Sequence, residues 1–291
     1  SPATRWLLST LLSCYKACAR RVLRLSRALG LGATLSAEEE RVVSGEAWDE
    51  FCDTLKAAGA AMLAPGAPRD PFNQAEGYRY LARLARAGLE NYLECADVEA
   101  PQLCAIANGS RAARVCIGSD NPDNLYENAT IDGRREYVVR GTRGTVAYLG
   151  LGTQSGRYGA KGGLATVDYA EADALTYDDE ARTRFTVVLA AERPPDWQGN
   201  WLRLLPEPRD AMLIVRQTFG RRADEVAAEL TISLRAGGVA GGRPTPLTPA
   251  RLDEGLQSAG VLVAGASMMF ARWAAGFQAH TNELPLFDQE R

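Results

Sequence analysis

The sequence predicts an α+β chain, in which an antiparallel β sandwich or jelly-roll-like domain lies between N-terminal helices and a C-terminal helix. Three observations carry this expectation. Through the first third of the 291 residues, apolar side chains recur at intervals of three and four, as helix faces do. From about residue 112 the pattern changes to short β-branched and aromatic runs separated by Gly, Pro, Asn and Asp, which reads as strands and turns. After the stretch "AGGVAGGRPTPLTP" comes a long segment that is apolar almost all round, the pattern of a buried helix. The predicted organisation is a helical region over 1–111, a β domain over 112–235, and a linker with a helix packed on the β domain over 236–291.

The first helix is expected over 4–29. Leu8, Leu11, Leu12, Tyr15, Cys18, Val22, Leu25 and Leu29 form its stripe, while Arg5, Lys16, Arg20, Arg21, Arg24 and Arg27 fill other faces and no acid precedes Glu38. One reading buries the stripe on its own subunit or across a symmetric homo-oligomer, with the basic residues facing solvent. The other lays a basic helix on an anionic membrane or against a partner. "GLGAT" ends it at Gly30. A second helix over 47–63 carries Trp48, Phe51, Leu55 and Met62, and "APGAPRDP" breaks the chain behind it. A third over 73–93 carries Tyr78, Leu81, Leu84, Ala85, Leu89 and Tyr92. Strands are expected at "ARVCIG", "REYVVRG", "GTVAYLGLG", "GGLATVDY", "TRFTVVLA", "NWLRLL", "DAMLIVRQTF" and "AAELTISLR". The last helix covers 250–279.

Charge and composition narrow the function. A net charge of -3 and a sequence pI near 5.5 disfavour nucleic acid as a partner. Six cysteines form no C-x-x-C pair and have one histidine to help them, so neither zinc nor another metal is expected. Reduced, buried thiols in a cytoplasmic protein are the expected state, and the sequons at Asn108 and Asn128 then have no role. The basic residues spread through the first apolar run do not resemble a cleavable signal sequence. The longest apolar stretch, 259–271, is too short for the roughly 20 residues that a spanning helix needs.

The densest polar chemistry is "DNPDN", residues 120–124. It fails as a calcium loop, because positions 3, 6 and 12 counted from Asp120 are Pro122, Leu125 and Ile131. "GLGTQSG", residues 150–156, is followed by more glycine and a strand rather than a helix, so it reads as a wide hairpin loop and not a dinucleotide loop. Lys161 lacks a P-loop's glycine pattern and G-x-S-x-G is absent. No cofactor is expected. What remains is a loop and hairpin that can converge Asp120, Asp123, Tyr126, Tyr137, Arg140 and Arg143. Asp123 beside Arg140 or Arg143 would stay ionised, and a desolvated Asp120 would have a raised pKa. The alternative is plain turn chemistry, for which Asn, Asp and Pro are suited. His280, at the end of the last helix, either interacts with the helix dipole or reaches a pocket rim together with Asn282. Tyr148, Trp201 and Tyr126 are candidate walls, and Tyr137 and Arg216 further substrate contacts.

Three segments resemble bacterial proteins of the domain of unknown function 1214 family: "GSDNPDNLYENATIDGRREYVVRGTRGTVAYLGLGT", "GNWLRLLPEPRDAMLIVRQTF" and "FQAHTNELPLFD". The resemblance is clearest over about 115–234, and most specific at Asn200-Trp201-Leu202 and Leu213-Ile214-Val215-Arg216. It implies a jelly-roll-like β domain with helical additions and brings no reaction and no catalytic residue. The expected function is a metal- and cofactor-independent enzyme using acid–base chemistry on a small, mostly hydrophobic organic molecule. The alternative is a non-catalytic β-sandwich module that binds sugar or lipid, or an assembly subunit. A shallow groove of exposed aromatics would mark a sugar binder; a deep pocket with perturbed titratable groups would mark an enzyme.

Overall fold

Among the described residues, five α-helices and eight strands form, the helices where the side-chain periodicity is helical and the strands where it alternates. The computed structural model describes residues 2–31, 33–105, 115–118, 120–157, 163–237 and 243–283. The helices are α1 Pro2–Ala28, α2 Ala37–Val43, α3 Glu46–Ala58, α4 Pro71–Leu89 and α5 Pro249–Ala279. The short α2 has no apolar stripe to announce it. It is set instead by a capping box, in which Ser36 accepts the Glu39 N–H and the Glu39 carboxylate accepts the Ser36 N–H. The "RDP" of the breaker is also the start of α4, with Asp70 as N-cap and Pro71 in the first turn. A π turn, Glu90–Glu94, extends α4.

The closing helix buries its apolar side chains among the other helices and meets the β domain through polar contacts, Glu254 and Ser258 with Arg157 and Glu254 with Arg209. The N-terminal half of α5 lies among α2, α3 and α4, where Leu256, Ala259, Leu262, Val263 and Ala266 meet Phe51, Leu84 and Ala87. An all-round apolar pattern specifies burial but not the neighbour, and here the neighbour is helical. Gly88 lets α4 cross α5 closely, because a Cβ there would lie 3.1 Å from the Ala259 backbone. Beyond Ala271 the helix is exposed.

The α1 stripe is likewise not buried. Trp6, Leu7, Leu8, Leu11, Leu12 and Tyr15 are 54–75% exposed, and Val22, Leu25 and Leu29 are also open. The basic side facing the body is the surprise. Lys16 and Arg20 pair with Asp49, Arg27 pairs with Glu40, and Arg20 also donates to the Ser44 carbonyl. Acids on α2 and α3 attract this face, so α1 is turned over relative to its expected orientation.

The strands are β1 Asn124–Asp132, β2 Tyr137–Thr142, β3 Tyr148–Gly156, β4 Leu164–Glu171, β5 Arg184–Ala190, β6 Asn200–Arg203, β7 Asp210–Thr218 and β8 Glu229–Leu234. They form two four-stranded sheets, in the orders β1-β7-β3-β4 and β6-β5-β2-β8. All pairings are antiparallel except β5 with β6, which is parallel. Ala129, Ile131, Leu149, Leu151, Leu213 and Val215 of one sheet face Tyr137, Val139, Val187, Leu189 and Ile232 of the other. This is a β sandwich with helical additions, an α+β fold. The first expected strand is misplaced. Residues 115–118 form none, and Val115 is buried among the helices; residues 113 and 114 lie outside the described residues. Strand β1 begins at the last residue of the "DNPDN" stretch, Asn124, and continues to Asp132, its polar residues alternating with Leu125, Ala129 and Ile131. "GLGTQSG" is part of β3 itself and not a loop.

The cysteines also depart from expectation. Cys95 and Cys104 form a disulfide. Cys14, Cys18 and Cys116 are exposed thiols and Cys52 is half-buried, so the set is neither uniformly reduced nor buried.

Candidate functional site

The polar loop is a turn. The Asn124 N–H donates to the Asn121 carbonyl and the Asp123 N–H to Asn121 Oδ1 at 2.9 Å. The Tyr126 hydroxyl closes it, accepting from the Asn121 N–H at 3.1 Å and from Asn124 Nδ2 at 3.0 Å. Tyr126 therefore belongs to β1 and holds the turn. Asp123 is exposed and forms no ion pair with Arg140 or Arg143, for a topological reason: β1 and β2 lie in different sheets, so no hairpin brings those arginines back. Arg140 is exposed on β2, and Arg143 Nη1 donates to the Val146 carbonyl at 2.9 Å. The arginine that does reach the turn is Arg222, which donates to the Pro122 carbonyl. Asp120 is half-buried near Tyr80, whose phenol is pushed up to about 12 by burial, with smaller contributions from Cys116 and Asp120.

The remaining candidates scatter. Tyr137 is fully buried; its hydroxyl accepts the Asp132 N–H at 2.9 Å and donates to the Val98 carbonyl at 3.2 Å. Trp201 packs on Val138 and Val188 outside the second sheet and donates to the Ala190 carbonyl. His280 is exposed, its Nδ1 3.0 Å from Glu283, and Asn282 follows it with a positive φ of 64°. Three candidates do share a surface. Tyr126 pairs with Arg216, Arg216 pairs with Gly150, and Tyr148 lies two residues before Gly150. All three point to the outer face of the first sheet, where a Cβ on Gly150 would collide with the Tyr148 and Tyr169 hydroxyls.

The concavity with the most convergent chemistry lies elsewhere, at the other end of β1. A cleft of about 210 Å³ runs between the helical body and the sandwich. Strand β1 is nine residues long, so the "DNPDN" turn is roughly 25 Å away along the strand. Arg157, just after β3, donates to Asp210 and to Glu254 at 2.8 Å each and to Ser258 Oγ. Its guanidinium lies 5.7 Å from the Tyr92 ring centre. Arg209 grips the same Glu254 through bonds of 2.8 and 3.0 Å. On the other wall, Asp97 accepts the Thr245 N–H at 2.6 Å and the Thr245 hydroxyl at 2.8 Å, with Arg251 3.6 Å away.

The electrostatics are uniform. Burial pushes the Glu254 carboxyl up, but Arg209 and Arg157 outweigh it and hold it below its usual range. Burial likewise raises Asp97, and the Thr245 bonds, the Glu99 N–H and Arg251 overcome it. Asp132 is lowered chiefly by its bonds to Arg134. These carboxylates are ionised at neutral pH, so none of the three is poised to give up a proton there. Among the described residues no group of three or more His, Cys, Asp or Glu is arranged to hold a metal ion. Sequence reasoning missed this site because its members sit singly at element ends. The one available signal was "DE", Asp253 and Glu254, on an otherwise apolar helix.

No family model matches the chain, and no curated protein matches it. Among solved structures it is similar to an uncharacterized protein of Burkholderia cenocepacia, at 42% identity and a TM-score of 0.75 over 86% of this chain. The match covers 66% of that protein, so the chain spans less than two thirds of its relative's length. A Vibrio parahaemolyticus protein matches at 14% identity over 81% of this chain and 54% of its own, with a TM-score of 0.29, too low to carry an argument.

Proposed function

We propose that the chain is a non-catalytic binding module whose interdomain cleft takes a small, polar, hydrogen-bonding molecule of about sugar size. The observation that carries this is the state of the cleft: its perturbed carboxylates are all driven towards full ionisation, which suits fixed recognition and not proton transfer. Its 210 Å³ is below the usual 300–1,000 Å³ of drug-sized sites and holds roughly seven waters at about 30 Å³ each. Five carboxylates line it (Asp97, Glu99, Asp132, Asp210 and Glu254) against Arg157, Arg209 and Arg251. Arg134 and Arg135 neutralise Asp132 and Glu99 from outside, leaving no net charge to favour an ion. Tyr92, Leu93, Val98, Ile131 and Leu247 add an apolar side, on which the carbon face of such a molecule can rest.

Native mass spectrometry of the purified chain, followed by calorimetry with a panel of neutral sugars, amino acids and short lipids, tests the reading. Saturable binding of a sugar or amino acid, weakened by Arg157→Gln, supports it. Binding confined to the lipids, or untouched by Arg157→Gln, overturns it.

One observation favours the acid–base enzyme instead. Burial raises the Glu127 carboxyl above its usual value, opposed by the Gln217 amide that donates to it at 3.3 Å. Turnover of any small substrate that disappears in Glu127→Gln would restore that reading. The kinship with the domain of unknown function 1214 family, and a jelly-roll relation with it, belong to the same proposal, supported by the quoted segments forming β1–β3 and β6–β7. The Cys95–Cys104 disulfide supports an oxidising compartment rather than the cytoplasm, where such bonds are rare.

A further inference from the structure

Two helix ends leave the body with their apolar side chains open. At every position from Thr4 to Tyr15, α1 is exposed, a length of about 18 Å at 1.5 Å per residue. On α5 the same holds from Arg272 to Ala279, with Trp273 and Phe277 about half-exposed and Met268 open one turn earlier. Both ends lie on one side. Followed towards its start, α1 meets Glu40 with Arg27, the Ser44 carbonyl and Asp49 with Arg20, then Asp49 with Lys16. Followed towards its end, α5 meets Arg41 with Asp253, then Phe51 and Thr54 with Gly260. Each path runs from α2 onto α3, so the two free ends emerge beyond the same end of the helical body.

Charge selects the occupant. Lys16, Arg20 and Arg27 are paired with the body's acids, whereas Arg5, Arg21 and Arg24 on α1 and Arg272 on α5 form no ion pair among the described residues. The whole chain carries -3, whereas the only charges within the open helical stretches 4–15 and 272–279 are Arg5 and Arg272, a local departure. On the free half of α1, Trp6, Leu7, Leu8, Leu11, Leu12 and Tyr15 cover an arc of about 240° at 100° per residue. A seam with one neighbouring helix buries a far narrower stripe, and a second copy docked through the same stretches would bring Arg5 and Arg272 no acid. A bilayer surface accepts a wide apolar arc, and anionic headgroups accept the arginines. We infer that the start of α1 and the end of α5 together seat this chain on an anionic lipid surface, partly inserted and not spanning. By length and composition α5 is apolar enough to cross a bilayer, but its first half is enclosed by the other helices, which leaves only the second half for lipid.

The test uses the full chain and two vesicle preparations, phosphatidylcholine alone and phosphatidylcholine with one third phosphatidylglycerol. Co-sedimentation with the anionic vesicles is expected, weaker by roughly tenfold or more on the neutral ones. The variant Leu8→Ser/Leu11→Ser/Leu12→Ser should lose sedimentation while keeping its circular dichroism and melting temperature, since these side chains are open in the free protein. Brominated lipid should quench tryptophan fluorescence, and less so in Trp6→Phe/Trp273→Phe. No sedimentation, equal sedimentation with both vesicles, or undiminished sedimentation of the leucine variant would each overturn the inference. So would a concentration-dependent dimer that the leucine variant dissociates and that fails to bind vesicles.

Discussion

Removing one oxygen atom, by Tyr137→Phe, separates a structural role from a ligand contact. Phenylalanine fills the same fully buried space, so no cavity term enters. Two bonds are lost. The Asp132 N–H, on a buried residue, is left without the phenol oxygen that now accepts it at 2.9 Å. The Val98 carbonyl loses a donor at 3.2 Å, but Val98 is half-buried and can reach water. An unsatisfied buried donor costs about 1–3 kcal/mol and an ordinary exchanged bond about 0.5–1.5 kcal/mol, which together give a destabilisation of about 1.5–4.5 kcal/mol. At about 2–4 °C per kcal/mol for a large domain, the melting temperature should fall by roughly 3–18 °C. Burial pushes the Tyr137 phenol well above its usual value, so this loss should stay constant from pH 6 to pH 9. Differential scanning calorimetry of the two proteins side by side, at three pH values, measures it. An unchanged transition with abolished ligand binding would refute the structural assignment and return Tyr137 to the binding site.

Four further outcomes follow from the same geometry. Glu254→Gln should lower stability at neutral pH by about 1 kcal/mol, a modest figure because the side chain is 41% exposed and solvent screens its pairs; urea unfolding at pH 7 reads it. Asp97, Asp132 and Glu254 have lowered pKa values, so their stabilisation is complete above the unfolded carboxylate pKa of about 4 and is lost as pH falls through the lower folded values; a melting temperature flat from pH 7 to pH 3 would contradict this. Glu127 is raised, so its charge opposes folding once pH exceeds the unfolded value, and Glu127→Gln should stabilise at pH 8 but not at pH 4. With six cysteines and one disulfide, six minus two leaves four thiols titratable in the denatured, unreduced chain; finding six would remove the bond.

Much of the fold was legible because strand runs and helix stripes reflect burial on one side. Seven of the eight expected strand segments coincide with β2–β8, each a run of β-branched or aromatic residues. The eighth failed because "ARVCIG" is apolar for a different reason: Val115 fills the helical core. Strand β1 was hidden by its outer face, where Asn124, Asn128 and Asp132 give a polar, turn-like composition even as Ala129 and Ile131 point inward. The site was far less legible. Gathering Asp120, Asp123, Arg140 and Arg143 assumed that successive strands pair, whereas the chain crosses between sheets after β1 and again after β2. Sequence proximity then separates side chains instead of converging them. The cleft shows the converse, since Arg157, Asp210 and Glu254 lie 53 and 97 residues apart along the chain and meet only through the docking of α5 beside the sandwich.

The two helices whose surroundings differed from expectation point to one physical rule. Periodicity reports how much apolar surface a helix must hide, but the partner is chosen by what else lies on the helix. On α5, small residues select close helix contacts: a Cβ at Gly260 would lie 3.1 Å from Thr54 and one at Gly255 would clash with the Tyr92 carbonyl, so its first half can lie only where helices approach closely. On α1 there is no such closeness to exploit, and charge decides. Lys16, Arg20 and Arg27 sit four and seven residues apart, on one face, and the acids Glu40 and Asp49 wait on α2 and α3. Those pairs turn the basic face inward and the leucines outward. Replacing Glu40 and Asp49 together by Gln and Asn removes what holds that face. If the rule is right, α1 should detach or roll, raising protease cleavage near Arg24 and Arg27 while the transition of the sandwich stays put. If protection there is unchanged, apolar contacts and not these ion pairs hold α1, and the outward leucines need another explanation.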